Sequence, residues 1–210
     1  MIVNDIVINK DLRLANPRPK KDSRVSVGWL EGDAGRQTLR LMGCLVEEDF
    51  KPSIKEETKR LRAMLKSKSA VIKMIEYRGQ VVGQIEIWLK QYDRVASPSI
   101  SILIGSPLMR GQKIGSLVLG AIHDIIASLG YERSYGRALM ASSPSNDFFT
   151  KNGYTKDGRP YGDDDGLLWQ NYKKILSENL VYEQVASTEA LEPEAKKTFK
   201  PARFLKKLYN

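Results

Sequence analysis

The chain has 210 residues, 41% of them hydrophobic, and a formal charge of +9 at pH 7. That length suits a single domain, and no apolar run approaches the roughly 20 residues needed to span a bilayer, so a soluble, cytoplasmic protein without a membrane partner is expected. One cysteine, Cys44, and one histidine, His123, exclude an internal disulfide and any His-pair metal motif.

The charge sits mostly near the ends: residues 10–24 hold six Lys/Arg against two Asp, and residues 187–210 hold six against three Glu. We expect a basic arm or strand over 1–24, one domain over 25–182 and a basic tail over 183–210, where Phe204, Leu205 and Leu208 at helical spacing suggest a docking helix. Two prolines in "NPRPKK" mark an exposed loop. "VSVGWL" (25–30) alternates like a strand. The spacing of Leu39, Met42, Leu45 and Val46 predicts a helix, and Cys44 reads as a small buried residue there. Ser53 three residues ahead of Glu56 forms a capping box, which starts a helix over 54–66.

Residues 70–77 and 81–89 are β-rich and separated by "RGQ", so they predict a hairpin. On its second strand Gln84, Glu86 and Trp88 share one face, which reads as the wet side of an antiparallel sheet. "SISILI" (99–104) is a third strand. From Ile114, apolar residues recur at helical spacing to a left-handed cap at Gly130, and His123 falls on the solvated face. "SYGRALM" (134–140) predicts a strand, and "SSPSNDFFTKNG" a short helix capped by Ser143. "YTKDGRPYGDDDG" reads as a turn-rich connection before a last strand, "LLWQNYKKIL".

The loop "GSPLMRGQKIG" joins a strand to the longest helix. Such a junction gathers backbone N–H groups and the positive end of a helix dipole, and this favours an anion. Arg110 and Lys113 add charge, while Gly111 and Gly115 permit close approach or positive φ. Neither a dinucleotide fingerprint nor a nucleoside-triphosphate loop is present.

"RGQKIG" resembles the [Q/R]-x-x-G-x-[G/A] pyrophosphate loop of the GNAT N-acetyltransferase superfamily, with Lys113 in place of the middle glycine. "SSPSNDFFTKNGY" is similar to that family's N-x-x-[A/S]…G-[F/Y] helix, with Ser145 at the small position and Gly153-Tyr154 at the end. The resemblance implies an α/β chain of the α+β type: a central, mostly antiparallel mixed sheet flanked by helices, with its central strands splayed.

It further implies an acetyl-CoA-dependent acyltransferase in which an amine attacks the thioester directly, with no metal. Coenzyme A would be held by Ile102, Leu103 and Ile104 of the strand, by Arg110, Gly111, Gln112, Lys113, Ile114, Gly115 and Ser116 of the loop, and by Ser142, Ser145 and Phe149. Phe149 stands where many relatives carry a tyrosine acid, Ser142 where they carry asparagine, and Ser99 near the place of a glutamate base in histone-modifying relatives.

Glu86 is the leading catalytic candidate, with Tyr135 and Tyr154 as candidate acids. The acceptor groove would take Glu47, Glu48, Asp49, Asp163, Asp164 and Asp165, whose charge suits a cationic amine on a small molecule, a protein lysine or an N-terminus. A homodimer is compatible with this reading. A second reading stays open at this point: a coenzyme A-binding module with little activity, whose basic ends bind RNA or a protein partner.

Overall fold

The computed structural model describes residues 4–45, 50–91 and 94–176. The chain runs β1 (Ile6–Val7), β2 (Leu12–Ala15), α1 (Pro19–Gly28), α2 (Gly32–Leu41), α3 (Ile54–Leu65), β3 (Ala70–Tyr77), β4 (Gln80–Trp88), β5 (Ser99–Ile104), α4 (Ile114–Ser128), β6 (Arg133–Leu139), α5 (Ser143–Lys151), β7 (Thr155–Gly162) and β8 (Leu168–Ile175). The docking helix expected around Phe204 lies outside the described residues.

The expected hairpin forms because Arg78 (φ 49°) and Gly79 (φ 77°) both take the left-handed conformation of a tight two-residue turn. The Ser53 hydroxyl accepts from the Glu56 amide, so α3 starts where the capping box placed it. Gly130 ends α4 at φ +85°.

The strands form one sheet in the order β1-β2-β3-β4-β5-β6-β8-β7. Every pairing is antiparallel except β5 with β6, which run parallel and register only at Ser99 opposite Tyr135. One face carries α4 and α5 over the larger core, in which Ile85, Ile87, Ile100, Val118, Leu119 and Ile122 are buried. On the other face α3 packs Leu61 and Met64 against Ile72, Met74 and Trp88, and α1 lies beside α3, with Thr58 Oγ1 2.8 Å from Ser23 Oγ.

Four local expectations change. Residues 25–30 are not a strand: Pro19 occupies the first turn of α1, which buries Asp22, Ser23, Ser26 and Val27 at helical spacing. The proline pair thus starts a helix, and Leu12 and Leu14 ahead of it are buried as a sheet strand rather than exposed as an arm. Second, the polar stretch after Tyr154 forms β7. It is the outer strand of the sheet, mostly exposed and interrupted by a bulge between Asp157 and Tyr161, so it has neither apolar alternation nor a penalty for Pro160. Third, the face carrying Gln84, Glu86 and Trp88 is buried, because α1 and α3 cover it. Fourth, Ser142 rather than Ser143 precedes α5.

His123 is also buried rather than solvated. Its Nε2 lies 2.8 Å from the Tyr154 hydroxyl, which lies 2.8 Å from Ser134 Oγ. Burial, reinforced by the charge of Lys174, lowers His123 from 6.5 to about 4. Burial likewise raises Tyr154, and the bond to Ser134 only partly offsets this. Between these two pH values the unfolded chain takes up a proton that the fold refuses, so the contribution is complete above about 6.5 and is lost as the pH falls toward 4. Urea denaturation from pH 7 to pH 4 should cost the native protein on the order of 2–3 kcal/mol more than His123→Gln, which keeps a polar partner for Tyr154.

Candidate active site

Beyond Ser99 and Tyr135 the strands β5 and β6 diverge, and a cavity of about 670 Å³ occupies the gap. Its size falls in the usual range for ligand pockets. From β5 it is lined by Ile102, Leu103 and Ile104, and from the following loop and α4 by Arg110, Gly111, Lys113, Ile114, Gly115 and Ser116. Ser145, Phe149 and Lys151 of α5 line it as well. Gln112 does not: its side chain donates to the Leu108 carbonyl (2.7 Å). Ser142 is fully buried beneath the wall, donating to Ser145 Oγ (2.8 Å).

The start of α4 has no side-chain cap, so its first N–H groups have no partner within the helix. Lys113, at the N-cap, has φ 61° and Gly111 φ 75°. The lysine therefore takes the left-handed conformation that glycine adopts without penalty, and the loop keeps its course despite the substitution. At Gly115 a Cβ would come within 3.1 Å of the Phe148 ring. Arg110 has a role its charge does not reveal. Its guanidinium donates to the carbonyl of Ile104 (2.9 Å) and to Thr38 Oγ1 (3.1 Å), which fastens the end of β5 to α2.

On the other sheet face the cavity meets an ionic cluster. Arg60, buried in α3, donates to both Glu57 oxygens (2.7 and 2.8 Å), to Glu86 Oε1 (2.6 Å) and to Gln84 Oε1 (2.9 Å). Gln84 also donates to Glu86 Oε1 (3.4 Å). Burial opposes the charge on Arg60, but Glu57 and Glu86 outweigh it and hold the guanidinium above its ordinary range. Two carboxylates share this guanidinium, and the cluster faces the cavity through Glu86 and Arg60.

Thr38 and Met42, Met64, Trp88 and Trp169 complete this end of the cavity, with Arg137 stacked 4.2 Å over the Trp169 ring. Gly43 (φ +80°) admits the Trp169 ring to a place that a Cβ would fill, 2.3 Å from Cζ2.

Glu86, Ile102, Leu103, Ile104, Ser145 and Phe149 thus meet the pyrophosphate-type loop at one cavity. Tyr135 does not line it: it packs against the cluster of Leu61, Met64 and Trp88. Asp163, Asp164 and Asp165 are also absent from its wall. The Asp163 carboxylate closes the β7–β8 turn, accepting from the amides of Asp165 (3.0 Å) and Leu167 (2.9 Å) and from the Trp169 indole (2.9 Å). Burial pulls it upward, yet these bonds and the charge of Arg137 leave it below the usual carboxylate range. Its contribution to the cavity is to fix Trp169. Glu47, Glu48 and Asp49 lie outside the described residues.

Arg60 did have a sequence signal, an arginine amid the inward positions of Leu61 and Met64 in a well-capped helix. Trp169 and Arg137 had none, because strand pairing alone brings them to the gap.

The sequence matches the family model of the GNAT acetyltransferase domain over residues 32–176. Solved structures share the fold. The chain is similar to the ribosomal L7/L12 alpha-N-protein acetyltransferase RimL (TM-score 0.65, 16% identity, 83% of this chain and 96% of that one). It is similar to the Salmonella typhimurium acetyltransferase that modifies the N-terminal serine of the 50S ribosomal subunit protein L7/L12 (0.63, 17%, 81% and 98%). It is also similar to the microcin C7 self-immunity acetyltransferase MccE, solved with acetyl-CoA and AMP (0.62, 14%, 80% and 94%). No curated protein matches. The chain belongs to the GNAT acetyltransferase family. Among the described residues no helix is long and apolar enough to cross a membrane, and no group of three or more His, Cys, Asp or Glu side chains could hold a metal ion.

Removing Arg60 alone would leave Glu57 and Glu86 buried without their counter-charge. Arg60→Met should cost about 3–5 kcal/mol in urea denaturation, while adding Glu57→Gln and Glu86→Gln to it should recover more than half of the loss.

Proposed function

We propose that the chain moves an acetyl group from acetyl-CoA to a primary amine, which attacks the thioester carbonyl directly. The observation that carries this is a single cavity through the β5–β6 gap, with the uncapped start of α4 at one end and the Glu86–Arg60 cluster at the other. The first suits a pyrophosphate: amides converge there, Lys113 adds a positive charge, and Gly111 has nothing within 4 Å of an added Cβ. The unpaired edge of β5 supplies backbone N–H groups that can polarise the thioester, as donors aimed at a developing oxyanion do.

The amine must arrive as, or become, the free base, since an ammonium has no lone pair. Glu86 stands in the wall with both of its hydrogen bonds on Oε1, and it takes up the proton directly or through a water. Attack forms the C–N bond, collapse of the tetrahedral adduct breaks the C–S bond, and coenzyme A leaves as the thiolate. Phe149 cannot protonate it, and solvent supplies that proton. RimL and MccE, both similar in fold, are named for acetyl transfer, and MccE was solved with acetyl-CoA.

Thiol release from acetyl-CoA, measured over a panel of small amines and peptide N-termini, should depend on the amine. Gly115→Asp brings a negative charge and a side chain against Phe148, and it should weaken acetyl-CoA binding in calorimetry by about 100-fold or more. Glu86→Gln should leave that binding intact while lowering kcat/KM for the amine by roughly 10²-fold. Absence of calorimetric heat with acetyl-CoA, or release indifferent to every amine, would end this reading.

A further inference from the structure

The outward surface of the α1–α3 layer is not used by the cavity. α1 turns Asp22, Ser23, Ser26 and Val27 inward, and α3 turns Glu57, Arg60, Leu61 and Met64 inward. On the opposite side of α3 stand Lys55, Lys59, Arg62 and Lys66, all exposed. Their spacing of four, three and four residues places them on one line along the helix, about 16 Å long with successive charges about 4.5–6 Å apart. Beside them, α1 exposes Lys20, Lys21 and Arg24. Two helices distant in sequence thereby form one cationic surface.

Among the described residues little on this surface neutralises it. Glu56 reaches Lys59 at 3.8 Å. The other acids of the two helices face inward, Asp22 to Arg18 and Glu57 to Arg60. Like charges at i,i+4, such as Lys55 with Lys59 and Lys20 with Arg24, cost an isolated helix a few tenths of a kcal/mol each. The fold gains nothing from the row, whereas a polyanion seated on it would.

We propose that this α1–α3 face binds the phosphate backbone of a nucleic acid. A row of exposed cations can each neutralise a phosphate of a polyanionic chain, and counterion release supplies the affinity. The outward positions carry no aromatic side chain, so bases are not stacked and the protein reads backbone without sequence. An anionic membrane fits less well, since the two helices expose only two large apolar side chains, Ile54 and Leu65, against seven cations.

The inner side of the same helix gives Arg60 and Met64 to the cavity. A nucleic acid on the outer side would therefore lie within one helix diameter of the wall proposed to receive the acceptor.

The test uses the full chain and a DNA duplex of about 20 base pairs, with an RNA duplex of the same sequence and a scrambled duplex alongside. Binding measured by fluorescence anisotropy should be indifferent to sequence and should weaken with salt. Lys55→Gln, Lys59→Gln, Arg62→Gln and Lys66→Gln combined should reduce the slope of log K against log salt by about 3 to 4, since each phosphate that is no longer neutralised removes about 0.9 from it. These side chains are exposed, so the fold should survive, and acetyl-CoA binding by calorimetry should be unchanged. No binding at about 50 mM salt, or an unaltered slope in the quadruple variant, would overturn the proposal, as would capture by phosphatidylserine vesicles but not by either duplex. Because duplex binding and acetyl-CoA binding are read separately, failure here leaves the transferase reading standing.

Discussion

The parallel pairing of β5 with β6 is the constraint on which the rest of the structure depends. Antiparallel ladders on both sides fix these strands in place, yet they register with each other only at Ser99 and Tyr135. Past that point each strand presents a backbone edge without a ladder partner, and such groups are costly inside a protein unless something else satisfies them. The gap is kept open from both faces: Phe148 and Phe149 of α5 stand below it, and Trp88 and Trp169 wall its other end. The start of α4 opens into the same space. A sheet that is incomplete at its centre is thus also the place where amides converge, and a ligand with a carbonyl and a pyrophosphate can meet both sets.

α3 has two chemically opposed sides. Inward it carries Arg60, whose burial is tolerated because Glu57, Glu86 and Gln84 occupy its donors. Replacing the whole cluster by apolar residues would cost the fold little, since buried ion pairs are poor sources of stability, whereas removing Arg60 alone would strand two carboxylates. The charge lies where α3 and β4 border the cavity, and this is where charge has chemical use. Outward the helix carries a row of cations of which, among the described residues, Lys59 alone meets a carboxylate, that of Glu56.

Local signals in the sequence were reliable wherever a short segment decided its own conformation. The Ser53 capping box, the Arg78-Gly79 turn, the apolar stretch of β5 and the Gly130 stop are properties of a few adjacent residues, and the structure has them where the pattern put them. The pyrophosphate-type loop belongs with these, and its φ values at Gly111 and Lys113 accord with the motif even where a lysine replaces glycine. Local signals misled when packing overrode them. Val25 and Val27 alternate with serine as strand residues do, yet Pro19 and the buried partners on α3 make that segment a helix. β7 lacks apolar alternation because neither of its faces is deeply buried, and only pairing with β8 makes it a strand.

The sequence by itself determined the family, the loop that opens α4 beside the cavity, and the bounds of α3, the β3–β4 hairpin, β5 and α4, because these rest on backbone conformation and on interactions a few residues long. Tertiary structure decided which side chains share the cavity. Glu86 went from a supposed wet face to a buried partner of Arg60, Tyr135 went to a hydrophobic cluster, and Asp163 went to a turn that fixes Trp169. It also joined two basic segments into one surface. Each of these outcomes turns on which helix covers which face of the sheet, a choice made by long-range burial that no local run of residues encodes.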